Sequence, residues 1–185
     1  MTNNDIAAFF RAQMLALMAA QGHPEIKVAT SFQTDNQGRL DGPVLYFVEG
    51  GDDPYGAQKT VTSVTPGTGA VIDTSMQRMR ISYQVQGFAP ANINDLTKLR
   101  ASDVVKLALM LLKSPPFIRA LKANGMGIEK IASTKPNFVV NDRAQFEAGP
   151  MFEFTMSYRR SIIQTSAIIQ PVDTVDWSNI AIHRV

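Results

Sequence analysis

The sequence predicts an α+β fold in which two or three helices pack against an antiparallel or mixed β-sheet. Residues 78–88 and 151–158 alternate apolar and polar side chains, the period of strands with one buried and one solvated face. Apolar residues at helical spacing fill residues 4–21 and 96–112. The order helix, strands, helices, strands is typical of a helix layer on an antiparallel sheet.

The composition limits the classes of protein that are possible. With 185 residues, a formal net charge of +2 and an ordinary hydrophobic content, the chain is expected to form one globular domain. The absence of cysteine excludes disulfides, thiolate metal sites and cysteine nucleophiles. No apolar run approaches the about 18 residues of a membrane span, so we expect a soluble protein without a membrane partner.

The first helix is predicted within residues 1–22. Asn3 or Asn4 can cap its first turn, and Gly22 suits the left-handed position that follows a helix. Its apolar stripe is interpreted as core or interface and comprises Ile6, Phe9, Phe10, Met14, Leu17 and Met18.

The next part of the chain is predicted to be extended. Two strands are expected at residues 26–32 and 44–50, separated by a segment rich in turn-forming residues. Residues 50–74 then combine Gly, Pro, Asp and Thr without a helical period. We predict a projecting loop or hairpin here, with arms at residues 59–64 and 70–73.

A helical region is predicted from about Asn94, with Asp95 or Ser102 as its cap, and the sequence SPP ends it because a residue before proline avoids the α conformation. A short helix closed by Gly125 follows. Further short strands are expected at residues 126–133 and 137–140.

The residue types that catalysis or metal binding needs do not form a recognisable constellation. His23 and His183 each lack a second ligand at metal-binding spacing, and there is no GxSxG motif or phosphate-binding glycine loop. Glu49, Asp52 and Asp53 could ligate Ca²⁺, but the required alternation is missing and turn formation explains the aspartates. We therefore expect no metal, no cofactor and no catalytic residue, and elimination favours a structural or interaction protein.

The second half of the chain contains an ordered series of features. A polar-alternating strand ends near Gly87, a helix stops at SPPF, and a segment of the form L…G.GI follows. A strand with an F.F…YR pattern comes next and contains Phe152, Phe154, Tyr158 and Arg159. Over about residues 44–177, this series resembles the tail (neck) terminator proteins of tailed bacteriophages.

The resemblance implies a tail-terminator-like α+β domain that assembles as a ring, typically of six subunits. Such a ring caps the head-proximal end of the tail tube, stops polymerisation of the tube and of any contractile sheath, and joins the tail to the head connector. The implied partners are further copies of the chain, the tube protein, a sheath protein in contractile tails, and connector proteins. Genomic DNA would pass through the lumen without specific binding. The implied location is the virion, after assembly in the bacterial cytoplasm, and no enzymatic activity is implied.

Two segments carry β-branched residues without a helix to cover them, namely residues 50–74 and the extended segment 161–185. We predict that both contact neighbouring subunits or the tube, because an unpaired strand edge can accept a strand from another chain. The candidate interface residues are Asp52, Asp53, Tyr55, Lys59, Val61, Val64, Val71, Arg159, Arg160, Ile162, Ile163, Ile168, Ile169 and Trp177.

The sequence also permits three other functions. One alternative is another head–tail joining, tail-completion or tube-like virion protein. A second is a small enzyme that uses Asp52, Asp53 and Glu49. A third is a DNA-binding module, because residues 78–130 hold nine basic and three acidic side chains.

Overall fold

The computed structural model of the chain describes residues 2–30, 42–65, 70–90, 98–140 and 146–166. These ranges contain three helices and seven strands. The helices are α1 (Asn3–Ala20), α2 (Ala101–Leu112) and α3 (Pro115–Ala123). The strands are β1 (Lys27–Ala29), β2 (Val44–Val64), β3 (Val71–Phe88), β4 (Gly127–Ile131), β5 (Phe138–Val140), β6 (Phe146–Ala148) and β7 (Met151–Ser166).

Five strands form one mixed sheet in the order β1-β2-β3-β7-β4. Strand β1 runs parallel to β2, and the other neighbours are antiparallel. Strands β5 and β6 form a separate two-stranded sheet. The predicted α+β class, with a mixed sheet and three helices, is confirmed.

The residue that caps helix α1 is Thr2, one position before Asn3, the first of the two predicted caps. The hydroxyl of Thr2 accepts a hydrogen bond from the backbone N–H of Asp5 at 3.2 Å, and the Asp5 carboxylate accepts one from the Thr2 N–H at 2.7 Å. The expectation that Asn3 or Asn4 caps the helix is therefore wrong, because threonine provides a reciprocal capping box with an acidic residue three positions later. Gly22 has a φ of 87°, as its predicted left-handed position requires.

The core lies between the helices and one face of the sheet, and Phe10 of α1 is at its centre. The Phe10 ring stacks on Phe47 of β2 with centroids 3.8 Å apart, and it meets Phe117 of α3 edge-on at 5.6 Å. It also stacks on Phe154 of β7 at 5.3 Å. Because one side chain touches three elements, the helix layer and the sheet are fixed relative to each other.

Helix α2 packs closely on β3 at Gly87. A Cβ atom on Gly87 would lie 2.5 Å from Val105 Cγ2 and 3.0 Å from the carbonyl oxygen of Ala101, so only glycine fits there. The helix starts at Ala101, where the Asp103 carboxylate accepts a hydrogen bond from the N–H of Arg100 at 3.2 Å. Ser102 is therefore inside the first turn and does not cap the helix.

Two further predictions concern the start of the helical region near Asn94 and the short elements that follow α2. Asn94 and Asp95 lie outside the described residues. The predicted short helix and short strands are confirmed as α3, β4 and β5, and Gly125 closes α3 with a φ of 69°.

Candidate assembly site

Three strands of the sheet continue past the core as a projecting arm, formed by residues 50–64 of β2, 71–80 of β3 and 159–166 of β7. Strand β7 has one buried face up to Tyr158 and then runs a further eight residues to Ser166, all of them exposed. Eight residues of extended chain span about 26 Å. Within the described ranges, both faces of the arm are therefore open to contact.

Strand β3 is the central strand of the arm. Thr74 lies opposite Val61 of β2 on one side and Ile163 of β7 on the other. Side chains add support between β2 and β3, since the Thr62 hydroxyl donates to Asp73 Oδ1 at 2.5 Å. The segment interpreted as a loop or hairpin is thus two long paired strands, and its tip, residues 66–69, lies outside the described residues.

Strand β2 is irregular where it enters the arm. Its pairing with β3 shifts register between Glu49 and Gly51 and again between Tyr55 and Lys59. Such bulges bend a strand and increase its local twist. The first irregularity lies where β2 enters the arm and the second lies within it, whereas β3 and β7 stay continuously paired.

The sequence predicts a strand at residues 151–158 and a separate extended segment that begins at residue 161, but β7 runs from one into the other without a break. Its pairing with β3 continues without a register shift from Met151 to Ser166. The alternation of apolar and polar residues stops after Tyr158, where neither face of the arm is buried by the residues that the structure describes. The end of the apolar–polar alternation at Tyr158 therefore marks where the core ends, whereas the strand itself continues to Ser166.

Both outer edges of the arm are unpaired within the described ranges. Strand β1 covers β2 only at residues 44–46, and β4 covers β7 only at residues 154–157. Residues 50–64 of β2 and 159–166 of β7 therefore leave backbone N–H and C=O groups that could pair with another chain. Pro54 fits this arrangement, because proline is tolerated in a strand whose N–H side faces outward.

The predicted interface residues fall into three groups. Most lie on the arm: Asp53, Tyr55, Lys59, Val61, Val64, Val71, Arg159, Arg160, Ile162 and Ile163. Asp52 lies at the base of the arm and is engaged within the chain. Ile168, Ile169 and Trp177 lie outside the described residues. The exposed apolar side chains on the arm include Val64 (61% exposed), Ile162 (58%) and Ile163 (67%).

A polar cluster ties the base of the arm to α1. The Tyr158 hydroxyl is 2.9 Å from Asp52 Oδ2 and 3.1 Å from Asn3 Oδ1, so its proton can be donated to either oxygen. The Asn3 side-chain amide donates to Glu49 Oε1 at 2.7 Å. Burial, followed by the hydrogen bond to Asp52, raises the pKa of Tyr158 to about 12. Sequence reasoning missed this cluster, since residues so far apart in the chain leave no local pattern.

A second buried tyrosine lies close to this cluster. Tyr83 is 2% exposed, and its hydroxyl has no hydrogen-bond partner among the described residues. Burial raises its pKa well above the usual value, and the charges of Glu49, Tyr158 and Asp52 act in the same direction.

No group of three or more His, Cys, Asp or Glu that could hold a metal ion occurs in the described ranges. None of the helices there is long and apolar enough to cross a membrane.

Basic residues gather on one face of the arm near its base. The Arg80 guanidinium lies 4.4 Å from the centroid of the Tyr55 ring, and its Nε donates to Glu129 Oε2 at 2.7 Å. Arg78 and Arg159 are directly opposite each other on β3 and β7. They line a cavity of about 220 Å³ together with Gly125, Met126, Gly127, Ser157 and Tyr158.

An α+β body with unpaired strand edges on a projecting arm is suited to a structural protein that assembles through strand pairing. The sequence model of the E217 gateway protein gp29 family matches residues 5–168. The chain belongs to this family of phage proteins, and the phage family expected from the sequence is confirmed at this level.

One solved structure shows a partial similarity to the chain. The sheath/tube terminator of PVC, an extracellular contractile injection system, was solved by cryo-electron microscopy in its extended state and is similar with a TM-score of 0.47 and 11% identity. The likeness covers 94% of this chain and 62% of the terminator, so the chain spans less than two thirds of that protein. None of the curated proteins matches the chain.

Proposed function

We propose that the protein is a phage tail terminator. It forms a hexameric ring on the head-proximal end of the tail tube, stops polymerisation there and joins the tail to the head connector. The observation that carries this proposal is the arm with two unpaired edges, in a chain that belongs to a phage gateway family.

A closed ring needs two different surfaces on each subunit, because each copy contacts one neighbour with its front and the other with its back. The outer edges of the arm are two such surfaces. Residues 50–64 of β2 form one, and residues 159–166 of β7 form the other, at opposite edges of the same sheet. Pairing β7 of one copy with β2 of the next continues the sheet around the ring.

The partners of the ring follow from this role. The tube protein, a sheath protein in a contractile tail and the head connector contact the ring, and genomic DNA passes through its lumen without specific recognition. The protein is a component of the virion and catalyses no reaction. The exposed apolar residues on the arm support this view, because chains rarely leave such residues on an unpaired strand edge unless another chain covers them.

Electron microscopy of the purified protein mixed with tail tubes of its phage tests the proposal. We expect rings at one end of each tube, and tubes that no longer lengthen when tube protein is added. Tubes that gain repeating layers of this protein would instead favour a tube-like subunit. A protein that stays monomeric and ignores tube ends would refute the role as a terminator.

A further inference from the structure

Arg78 and Arg159 form an unusual pair on the surface of the arm. They lie directly opposite each other on adjacent strands, so their side chains share one face of the sheet. Like charges in this arrangement destabilise a sheet. Neither arginine has an ion pair within the described part of the chain, whereas Arg80, two residues along β3, is held by Glu129 and Tyr55. The pair is therefore suited to an acidic group from outside the chain.

The cavity beside this pair has room for such a group. Its volume is about 220 Å³, and the hydroxyl-bearing Ser157 and the turn at residues 125–127 complete its lining. A side chain at Gly127 would extend toward the Ser157 hydroxyl, since a Cβ there would lie 3.7 Å from Oγ, so the glycine leaves this wall open. Two guanidinium groups around one cavity can hold a carboxylate through charge-assisted hydrogen bonds. We call Arg78, Arg159 and this cavity the arginine notch.

The position of the arginine notch points to a neighbouring strand. Gly127, at the start of β4, pairs with Ser157, which is the last residue of β7 that β4 covers. The unpaired edge of β7 begins at the next residue. A strand that adds to this edge consequently runs past the notch and can present a side chain to it.

The opposite edge of the same sheet carries the matching charge. Asp53 of β2 lies opposite Arg80, which in turn lies opposite Ser157. Asp53 is therefore on the same face of the sheet as the notch and level with Ser157 in its lining, two positions along the strands from Arg78 and Arg159. Asp53 is exposed, and no hydrogen bond or ion pair engages its carboxylate within the described ranges. Asp52 differs, because its carboxylate already accepts a hydrogen bond from Tyr158.

We propose that the arginine notch binds the carboxylate of Asp53 from a second copy of this chain. The inference rests on the proposed ring and specifies its subunit contact. Strand edges alone permit slippage of register, because backbone pairing is similar at successive positions. A charged group seated in a notch fixes one register and thereby one closure angle of the ring.

Charge reversal tests this contact in the full-length protein. Arg159→Glu and Asp53→Arg are each expected to raise the protein concentration at which half of the chains are in rings by about tenfold or more, as close charge pairs at interfaces do. Combining the two reversals is expected to restore this concentration to within about threefold of the unaltered protein. Analytical ultracentrifugation measures the assembly, and ring images confirm the species. Arg119→Glu, on the exposed side of α3, is the matched control and is expected to leave assembly unchanged.

The possible outcomes distinguish a failure of the proposed notch contact from a failure of the proposed ring. Normal rings from either single reversal, or no rescue in the combined variant, would overturn the contact and leave the terminator role standing. An unaltered protein that forms no rings, with or without tubes, would overturn both. Binding of duplex DNA that is lost in Arg159→Glu, while ring formation persists, would assign the notch to phosphate groups instead.

Discussion

Replacing Ile163 by serine gives the most direct test of whether another chain covers the arm. Ile163 is on β7, at the unpaired edge, and it is 67% exposed. Burying a whole isoleucine side chain stabilises by about 1.5–3 kcal/mol, so covering the exposed two thirds is worth about 1–2 kcal/mol per contact. At 1.4 kcal/mol per factor of ten, Ile163→Ser should weaken association by about 5- to 30-fold.

Met110 provides a matched control, because it is 68% exposed but lies on α2, away from the arm. Met110→Ser should leave association unchanged. Both variants should keep a free energy of unfolding within about 0.5 kcal/mol of the unaltered chain, since both side chains are already mostly in water. Sedimentation across a concentration series measures the association, and urea unfolding measures the stability. Equal effects of the two substitutions on ring formation would refute the assignment of the arm as the interface.

The remaining predictions concern the base of the arm and the helix layer. Tyr158→Phe should lower the free energy of unfolding by about 1–2 kcal/mol in urea melts, because Asp52 loses the hydroxyl that donates to it. Tyr83→Phe should be neutral or stabilising by the same assay, since the Tyr83 hydroxyl has no described partner; a loss comparable with that of Tyr158→Phe would show that it is satisfied. Stability should fall as the pH rises from about 10 toward 12, because both tyrosines bind their protons more tightly in the folded chain than in the unfolded chain, where the pKa is about 10. Urea midpoints measured from pH 8 to pH 11 check this decline, which should be shallower in Tyr83→Phe. Gly87→Val should cost about 1–3 kcal/mol or more through overlap with Val105, and an unchanged melting temperature would contradict that packing.

The core could be predicted from sequence because one-sided burial leaves a periodic trace. Residues 79–85 of β3 and 152–158 of β7 alternate, and the alternating apolar residues are the ones that pack in the core. The arm leaves no such pattern, since neither of its faces is buried within the described ranges. Pro54 and the aspartates before it resembled a turn, yet they lie within β2, where the unpaired edge tolerates proline.

The candidate site was predictable only in part. Exposed β-branched residues such as Val64 and Ile163 were identified because nothing nearby in the sequence could cover them. The link between Asp52 and Tyr158 and the opposed arginines at 78 and 159 were not, because strand register brings them together from distant parts of the chain. Side-chain chemistry suggests which residues are available, but pairing between strands decides which of them meet.

The order of the strands in the arm also determines when the arm becomes complete. Val64 and Val71 are seven positions apart, so β2 and β3 can pair as soon as both have left the ribosome. Val71 and its other partner, Ser166, are ninety-five positions apart. Contacts across such a separation form late because a long loop must close first. The β7 edge therefore appears only after almost all of the described chain has been synthesised, which delays contact with other copies until the body that supports it has folded.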